Sequence, residues 1–522
     1  MKSFRKKSLS SFYTIINAKH IDLFIILLLL LLCLGTRLIN FVGMGINDDI
    51  AYIQNARSLA SSGCNPISSG FNQLGFRLGM VLPLALLYKL FGYNELGFSL
   101  YPLICSLVTC ALIYLTALRL WGRSAAVFAS LLWVFYPLQI VFDTQLVPSN
   151  QHATLVIAAL FLYFYAANIK NSMPDSNLES SSKWKEPELL ISSGICLGIA
   201  WWMNEIFVTF IFAMIPFLFI IRPKIKNLTW ILIGFLLIIF IELLIVKISC
   251  GSWFARFTCI LKTESAVVSN KDYKYLLRGL FKLWNIDFLN SQGHFGVIWY
   301  LFIVLTIMAV FLKDKIPLSL ALGCWLWFFY LQWGVQSPEG TPIAKYIRYF
   351  SMIVPLQCLT FGAVLQHFTQ YSKELKTVII SLFIVLLTHL LHFGTIATKT
   401  VKIHTEDFKE ITKILMDLQS KEDEIIFTDD LTANFIEIYS KDNLKIRKLN
   451  HSGITNSPEE GILVVDGSWY IVKLDEYRST IPKWALAPPP SKWQLLYTIR
   501  GKNVWDYKDF DPKIYRISPQ NN

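Results

Sequence analysis

The sequence predicts a polytopic α-helical membrane protein with about eleven transmembrane helices and a small C-terminal extracytoplasmic α/β domain. Three observations predict it. The 522 residues are 54% hydrophobic and only 16% charged, against roughly 25% charged in an average soluble domain, and mean hydropathy is +0.47. Apolar runs about as long as a bilayer requires recur along the first 400 residues. Lys and Arg collect in alternate loops between those runs, as they do beside cytoplasmic helix ends.

The first run begins at Ile21 (IDLFIILLLLLLCL) and is preceded by Lys2, Arg5, Lys6, Lys7 and Lys19. No small-x-small cleavage site closes it, so it reads as a retained helix with a cytoplasmic N-terminus rather than a signal peptide. The runs fall at about 22–42, 96–118, 124–146, 150–169, 188–204, 206–221, 228–248, 296–312, 316–335, 349–368 and 377–396. Alternation places Arg119 and Arg123; Lys170, Lys183 and Lys185; Arg222, Lys224 and Lys226; Lys313 and Lys315; and Lys373 and Lys376 in cytoplasmic loops. The short opposite loops at 143–151 and 204–206 contain no Lys or Arg.

Three outside segments are longer than turns: about 43–95, 249–295 and 336–348. FRLGMVLPLALLYKLFG (76–92) reads as an amphipathic helix on the outer face, since Arg77, Pro83 and Lys89 argue against a span. Composition changes near residue 400, giving domains 1–400 and 401–522. DFKEITKILMDL (407–418) has helical periodicity, DEIIFTDD and GILVVDG read as buried strands, and 484–508 reads as a Pro-rich loop followed by hairpin strands.

Net charge is +12, but residues 401–522 hold 17 Lys/Arg and 19 Asp/Glu, leaving 31 and 17 in the first 400. The basic excess belongs to the apolar part. A nucleic-acid partner is not expected, since it needs a basic face on a soluble domain. Cys33, Cys105, Cys110, Cys196, Cys324 and Cys358 lie in apolar runs and read as small core residues. Cys64, Cys250 and Cys259 lie in loops, and a Cys250–Cys259 disulfide is open.

Candidate chemistry clusters near the outer face. Asp48 and Asp49 follow the first run, with Tyr52, Ala56 and Leu59 at helical spacing behind them. An Asp there caps a helix; it also suits a general base or a divalent metal contact. Lys345, Arg348 and Tyr349 open a late span, where they anchor in headgroups or grip a phosphate. Arg77 is either a second phosphate contact or an interfacial anchor. Asp143 is too costly to face lipid and is expected in a cavity or at the surface. His152 reads as a capping or packing residue, Asn204-Glu205 as a polar turn or site edge, and His294 as a loop residue.

In order, these pieces resemble the GT-C glycosyltransferases that use polyprenyl-phosphate sugars, in the branch of protein O-mannosyltransferases and the aminoarabinose transferase acting on lipid A. The matching residues are Asp48-Asp49-x-x-Tyr52, Leu90-Phe91-Gly92, Arg119-Leu120-Trp121-Gly122-Arg123, Gly198-Ile199-Ala200 through Glu205, Gly251-Ser252-Trp253-Phe254, and Arg348-Tyr349 with Pro355. They lie within about residues 20–370.

The resemblance implies a bacterial inner-membrane enzyme that transfers a sugar, with inversion, from a polyprenyl-phosphate donor to a protein, lipid or polysaccharide acceptor. Asp48 would activate the acceptor hydroxyl or contact a divalent metal ion, with Asp49 in support. Arg348 would hold the lipid phosphate, helped by Lys345 or Arg77. Tyr52, Asp143, Asn150, Glu205 and Tyr349 would line the substrate site. Gly75-Phe76-Arg77-Leu78-Gly79 stands where the best-known members carry a Lys-Pro-Pro-Leu-type segment, and Asn150 where an Asp is frequent. A transporter of lipid-linked glycans and a non-catalytic glycan-binding protein are the readings from other classes.

Overall fold

The computed structural model describes residues 2–45, 48–62, 73–169, 179–260, 297–333, 347–419, 424–441, 443–449, 460–465, 493–499 and 512–517. Helix α1 (Lys2–Ile39) is followed by α2 (Asp48–Ser62), α3 (Leu78–Phe91), α4 (Glu95–Trp121), α5 (Arg123–Phe135), α6 (Pro137–Phe142), α7 (Pro148–Ile169), α8 (Glu179–Met203), α9 (Ile211–Ile221) and α10 (Ile225–Cys250). After a helical stretch at 255–260 come α11 (Ile298–Val310), α12 (Ile316–Trp333), α13 (Val354–Phe368), α14 (Lys373–Gln419) and α15 (Asp430–Ser440).

Each of the apolar runs is mainly helical over its described residues. Among the described residues, four helical stretches are long and apolar enough to cross a membrane: His20–Ile39, Glu95–Trp121, Ile225–Cys250 and Lys373–Lys399. Shorter apolar helices, such as Arg123–Phe135 and Ile298–Val310, pack among them. Large apolar side chains including Phe24, Ile39, Phe219, Phe240, Phe311 and Leu382 point outward, which a lipid environment tolerates and water does not. The chain is a multi-pass membrane protein.

Two departures from the run boundaries have local causes. The run at 124–146 breaks at Tyr136, which is extended (φ −66°, ψ 118°) ahead of Pro137. A residue before proline is pushed out of the helical region, and proline then suits the first turn of α6. By contrast, no break occurs near residue 400. Helix α14 runs for 47 residues, about 70 Å at 1.5 Å per residue, and no Gly or Pro interrupts the chain between Gly394 and Gly453. The expected helix at 407–418 is its distal part, so the change of composition at 400 falls inside a continuous helix.

Beyond α14, strands β1 (Ile426–Thr428), β2 (Ile446–Lys448), β3 (Gly461–Val465), β4 (Gln494–Thr498) and β5 (Lys513–Ile517) form one sheet in the order β2-β1-β3-β5-β4. Strand β1 is parallel to β2 and β3, and β5 is antiparallel to β3 and β4. The two short apolar runs are thus β1 and β3. The second hairpin strand, β5, lies beyond the 484–508 segment that suggested it.

One core joins this sheet to the first long loop. Met44, Ile50, Tyr52, Ile53, Met80 and Leu84 are buried together with Phe408, Ile411, Leu415, Ile426, Phe435, Ile462 and Ile514. Helix α3 turns Leu78, Met80, Val81, Leu84 and Ala85 inward and leaves Leu82, Leu86 and Leu90 exposed. Cys33, Cys110, Cys324 and Cys358 are buried, and Cys105, Cys196, Cys250 and Cys259 partly so. Cys64 and His294 lie outside the described residues.

Helices α8 and α10 approach through glycine. A Cβ at Gly194 would overlap the Ile231 carbonyl oxygen, and one at Gly234 would overlap that of Ile191. Small residues permit such backbone contact in membranes, where packing rather than hydrophobicity drives helix association. Gly194→Val is expected to force the pair apart and lower the unfolding temperature in detergent. Gly35→Val, at a position with no neighbour within 4 Å, is the control that should leave it within error.

Candidate active site

Helix α2 begins with both acidic residues in its first turn, but they are placed differently. Asp49 is 3% exposed. Its Oδ2 accepts from the Gly45 amide (2.7 Å) and from the Leu146 amide (3.1 Å). It therefore ties the loop before α2 to the loop between α6 and α7. Asp48 is half-buried.

One turn on, the Tyr52 hydroxyl accepts from Arg77 Nη1 at 2.6 Å, and Arg77 Nη2 donates to Glu205 Oε1 at 2.7 Å. Arg77 sits immediately before α3. Glu205 opens a 3₁₀ helix (Glu205–Phe210) whose start is capped by Asn204 Oδ1, which accepts from the Ile206 amide. Glu205 Oε2 also accepts from Arg256 Nη2 at 3.3 Å. Arg256 pairs in turn with Glu242, donates to the Trp201 carbonyl at 3.0 Å, and lies 4.5 Å from the centre of the Trp201 ring. The Trp201 indole N–H donates to Glu242 Oε2 at 2.5 Å. Two arginines and two glutamates thus alternate in a buried chain joining α2, α3, α8, α10 and the 255–260 helix.

The alternation makes the burial tenable. An isolated charge in this environment would cost several kcal/mol, whereas each member here faces opposite charge and hydrogen-bond partners. For Glu205, burial acts to raise the carboxyl pKa, but the Arg77 charge and hydrogen bond and the Arg256 charge outweigh it, and the pKa falls to about 2.

Tyr52, Arg77 and Glu205 are therefore brought together. Arg77 is only 7% exposed, which removes its reading as an anchor in lipid headgroups. Asp143 stands elsewhere, and not at the surface, one of its two expected locations. It is fully buried and accepts from Arg37 Nε at 2.7 Å and from the Ser106 hydroxyl. Arg37 also donates to the Val134 and Trp133 carbonyls, so the pair clamps α1 to the end of α5. Asn150 is buried and donates to the Pro102 carbonyl at 3.1 Å. His152 packs, stacked on Phe207 with Nε2 2.9 Å from the Ala200 carbonyl oxygen.

Lys345 lies outside the described residues. Arg348 falls in a 3₁₀ helix (Ile347–Met352), but its side chain lies outside the described ones. Tyr349 is half-buried in the same turn and packs on the main core. Among the described residues no group of three His, Cys, Asp or Glu side chains is placed to hold a metal, and one oxygen of Asp49 is already committed to two amides. The described residues do not build a metal cage at Asp48.

Sequence reasoning did not single out Arg256 and Glu242 as a pair. Half of the signal was present: Glu242 interrupts an apolar run, and a carboxylate there requires a cationic partner.

Residues 80–246 match the family model described as dolichyl-phosphate-mannose-protein mannosyltransferase. No curated protein matches the sequence. ArnT from Cupriavidus metallidurans bound to undecaprenyl phosphate is similar in structure, with a TM-score of 0.60 at 11% identity over 94% of this chain and 97% of that one. The chain has the GT-C fold. The Archaeoglobus fulgidus oligosaccharyltransferase tethered with an acceptor peptide matches with a TM-score of 0.54 at 11% identity, over 86% of this chain and 69% of that one. The oligosaccharyltransferase AglB from the same organism, in complex with an inhibitory peptide and a dolichol-phosphate, gives 0.52 at 11% identity over 87% and 70%.

Proposed function

We propose that the protein is an inverting membrane glycosyltransferase that moves a sugar from a polyprenyl-phosphate donor to an acceptor on the extracytoplasmic face. The observation that carries this reading is the mannosyltransferase family match over residues 80–246, inside a GT-C fold. ArnT bound to undecaprenyl phosphate and AglB with a dolichol-phosphate support the donor class.

In this mechanism Asp48 accepts the proton of the acceptor hydroxyl. The acceptor oxygen then bonds the anomeric carbon as the bond from that carbon to the phosphate oxygen breaks. The leaving polyprenyl phosphate needs positive charge, and Arg348 with Lys345 supplies it. Arg77 is a buried support, since two of its nitrogens are held by Tyr52 and Glu205. Asp49 fixes the start of α2 and so the position of Asp48. The basic loops support a cytoplasmic N-terminus, which puts Asp48 and the C-terminal sheet outside; the family resemblance supports a bacterial inner membrane as the location.

Membranes containing the protein should be offered a panel of radiolabelled polyprenyl-phosphate sugars. Transfer of label from one donor, with the anomeric configuration of the product opposite to that of the donor, is the expected result. Retained configuration would reject the single-displacement route.

A further inference from the structure

We propose that Glu95 is a positioning residue through which the C-terminal sheet domain sets the loop that leads to Asp48. The proposal rests on the reading of Asp48 as the base.

Glu95 stands in the first turn of α4, where Asn94 Oδ1 already caps the helix by accepting from the Leu96 and Gly97 amides. Its carboxylate reaches away from its own helix. Oε1 accepts from the Met44 amide (3.0 Å), Lys409 Nζ (2.8 Å) and the Tyr439 hydroxyl (2.8 Å), while Oε2 accepts from Lys409 Nζ at 2.9 Å. Lys409 belongs to the distal part of α14 and Tyr439 to α15, the two helices packed with the sheet. The approach to the loop depends on Gly43, which has φ +81° and at which a Cβ would overlap the Glu95 carboxylate.

The next amide belongs to the acidic pair. Met44 N–H goes to Glu95, and Gly45 N–H goes to Asp49. Two carboxylates therefore hold consecutive peptide groups, which are planar and about 3.8 Å apart from Cα to Cα. A shift of Glu95 is passed through this short stiff link to Asp49 and to the start of α2. Charge-assisted bonds from Lys409 resist that shift. The side chains are only partly exposed, Glu95 at 20% and Lys409 at 34%, so water competes for them incompletely.

The test uses the full-length protein in nanodiscs, with Lys409→Met/Tyr439→Phe as the double variant. Lys409→Arg is the charge-keeping variant. Lys448→Met, which removes an ion pair to Glu437 within the same domain, is the control. Hydrogen exchange of peptides covering 41–45 is read beside kcat and donor KM per folded molecule. In the double variant exchange should rise about tenfold, kcat should fall about ten- to a hundredfold, and donor KM should stay within about twofold. Lys409→Arg should keep both close to wild type, and Lys448→Met should change neither. Unchanged exchange in the double variant overturns the link. Faster exchange with unchanged kcat overturns the positioning role. A wild type that transfers no sugar, with exchange still responding, defeats the reading of Asp48 and the positioning role with it, and leaves a purely mechanical contact.

Discussion

Glu205→Ala is expected to destabilise the protein by about 3–5 kcal/mol, because it leaves the buried Arg77 without its carboxylate and takes from Arg256 one of its two. The measurement is thermal unfolding in detergent, followed by the yield of monodisperse protein. Glu205→Gln keeps acceptor and donor atoms but removes the charge, so its loss should be smaller. The pH dependence has a fixed sign. The folded pKa of Glu205 is about 2, below its ordinary 4.5, so its contribution is fully present above about pH 4.5 and is lost as pH falls toward 2. Between pH 5 and 8 the Glu205→Gln deficit should be constant, and it should shrink on acidification below 4.5. A deficit that instead grew on acidification would mean that Glu205 is not held ionised by the two arginines.

The second large effect separates the acidic neighbours. Asp48→Asn should lower transfer by about 10²–10⁴-fold, the usual worth of a general base, with little change in unfolding temperature. Asp49→Ala should act on stability, since it deprives the Gly45 and Leu146 amides of their acceptor, at about 1–3 kcal/mol for each buried donor left unsatisfied. Unfolding temperature and transfer rate per folded molecule, measured for both variants, check this split. The opposite pattern, with Asp49 controlling rate and Asp48 stability, would exchange the assigned roles.

The helical runs and strands β1 and β3 are legible in the sequence because their signals are local: length, apolarity and bounding turn residues. Tyr52 and Glu205 can be named individually, but not their meeting at Arg77, which lies 25 positions from one and 128 from the other. The Arg37–Asp143 pair spans 106 positions. Burial of Asp143 is tolerable only through that partner, so a reading without the partner places the carboxylate at a surface or cavity. The unbroken α14 is hidden for another reason. Its composition changes from apolar to mixed along its length, and composition marks a change of environment without marking an end to the backbone hydrogen bonding.

Sugar transfer driven from Asp48 is tested most directly by release of polyprenyl phosphate. Purified wild type and Asp48→Asn, both shown to be folded, would be compared in nanodiscs with donor and native acceptor lipids or proteins. The expected result is acceptor-dependent release by the wild type and about 10²–10⁴-fold less by the variant. Equal release by the two proteins would contradict a role for Asp48 as the base.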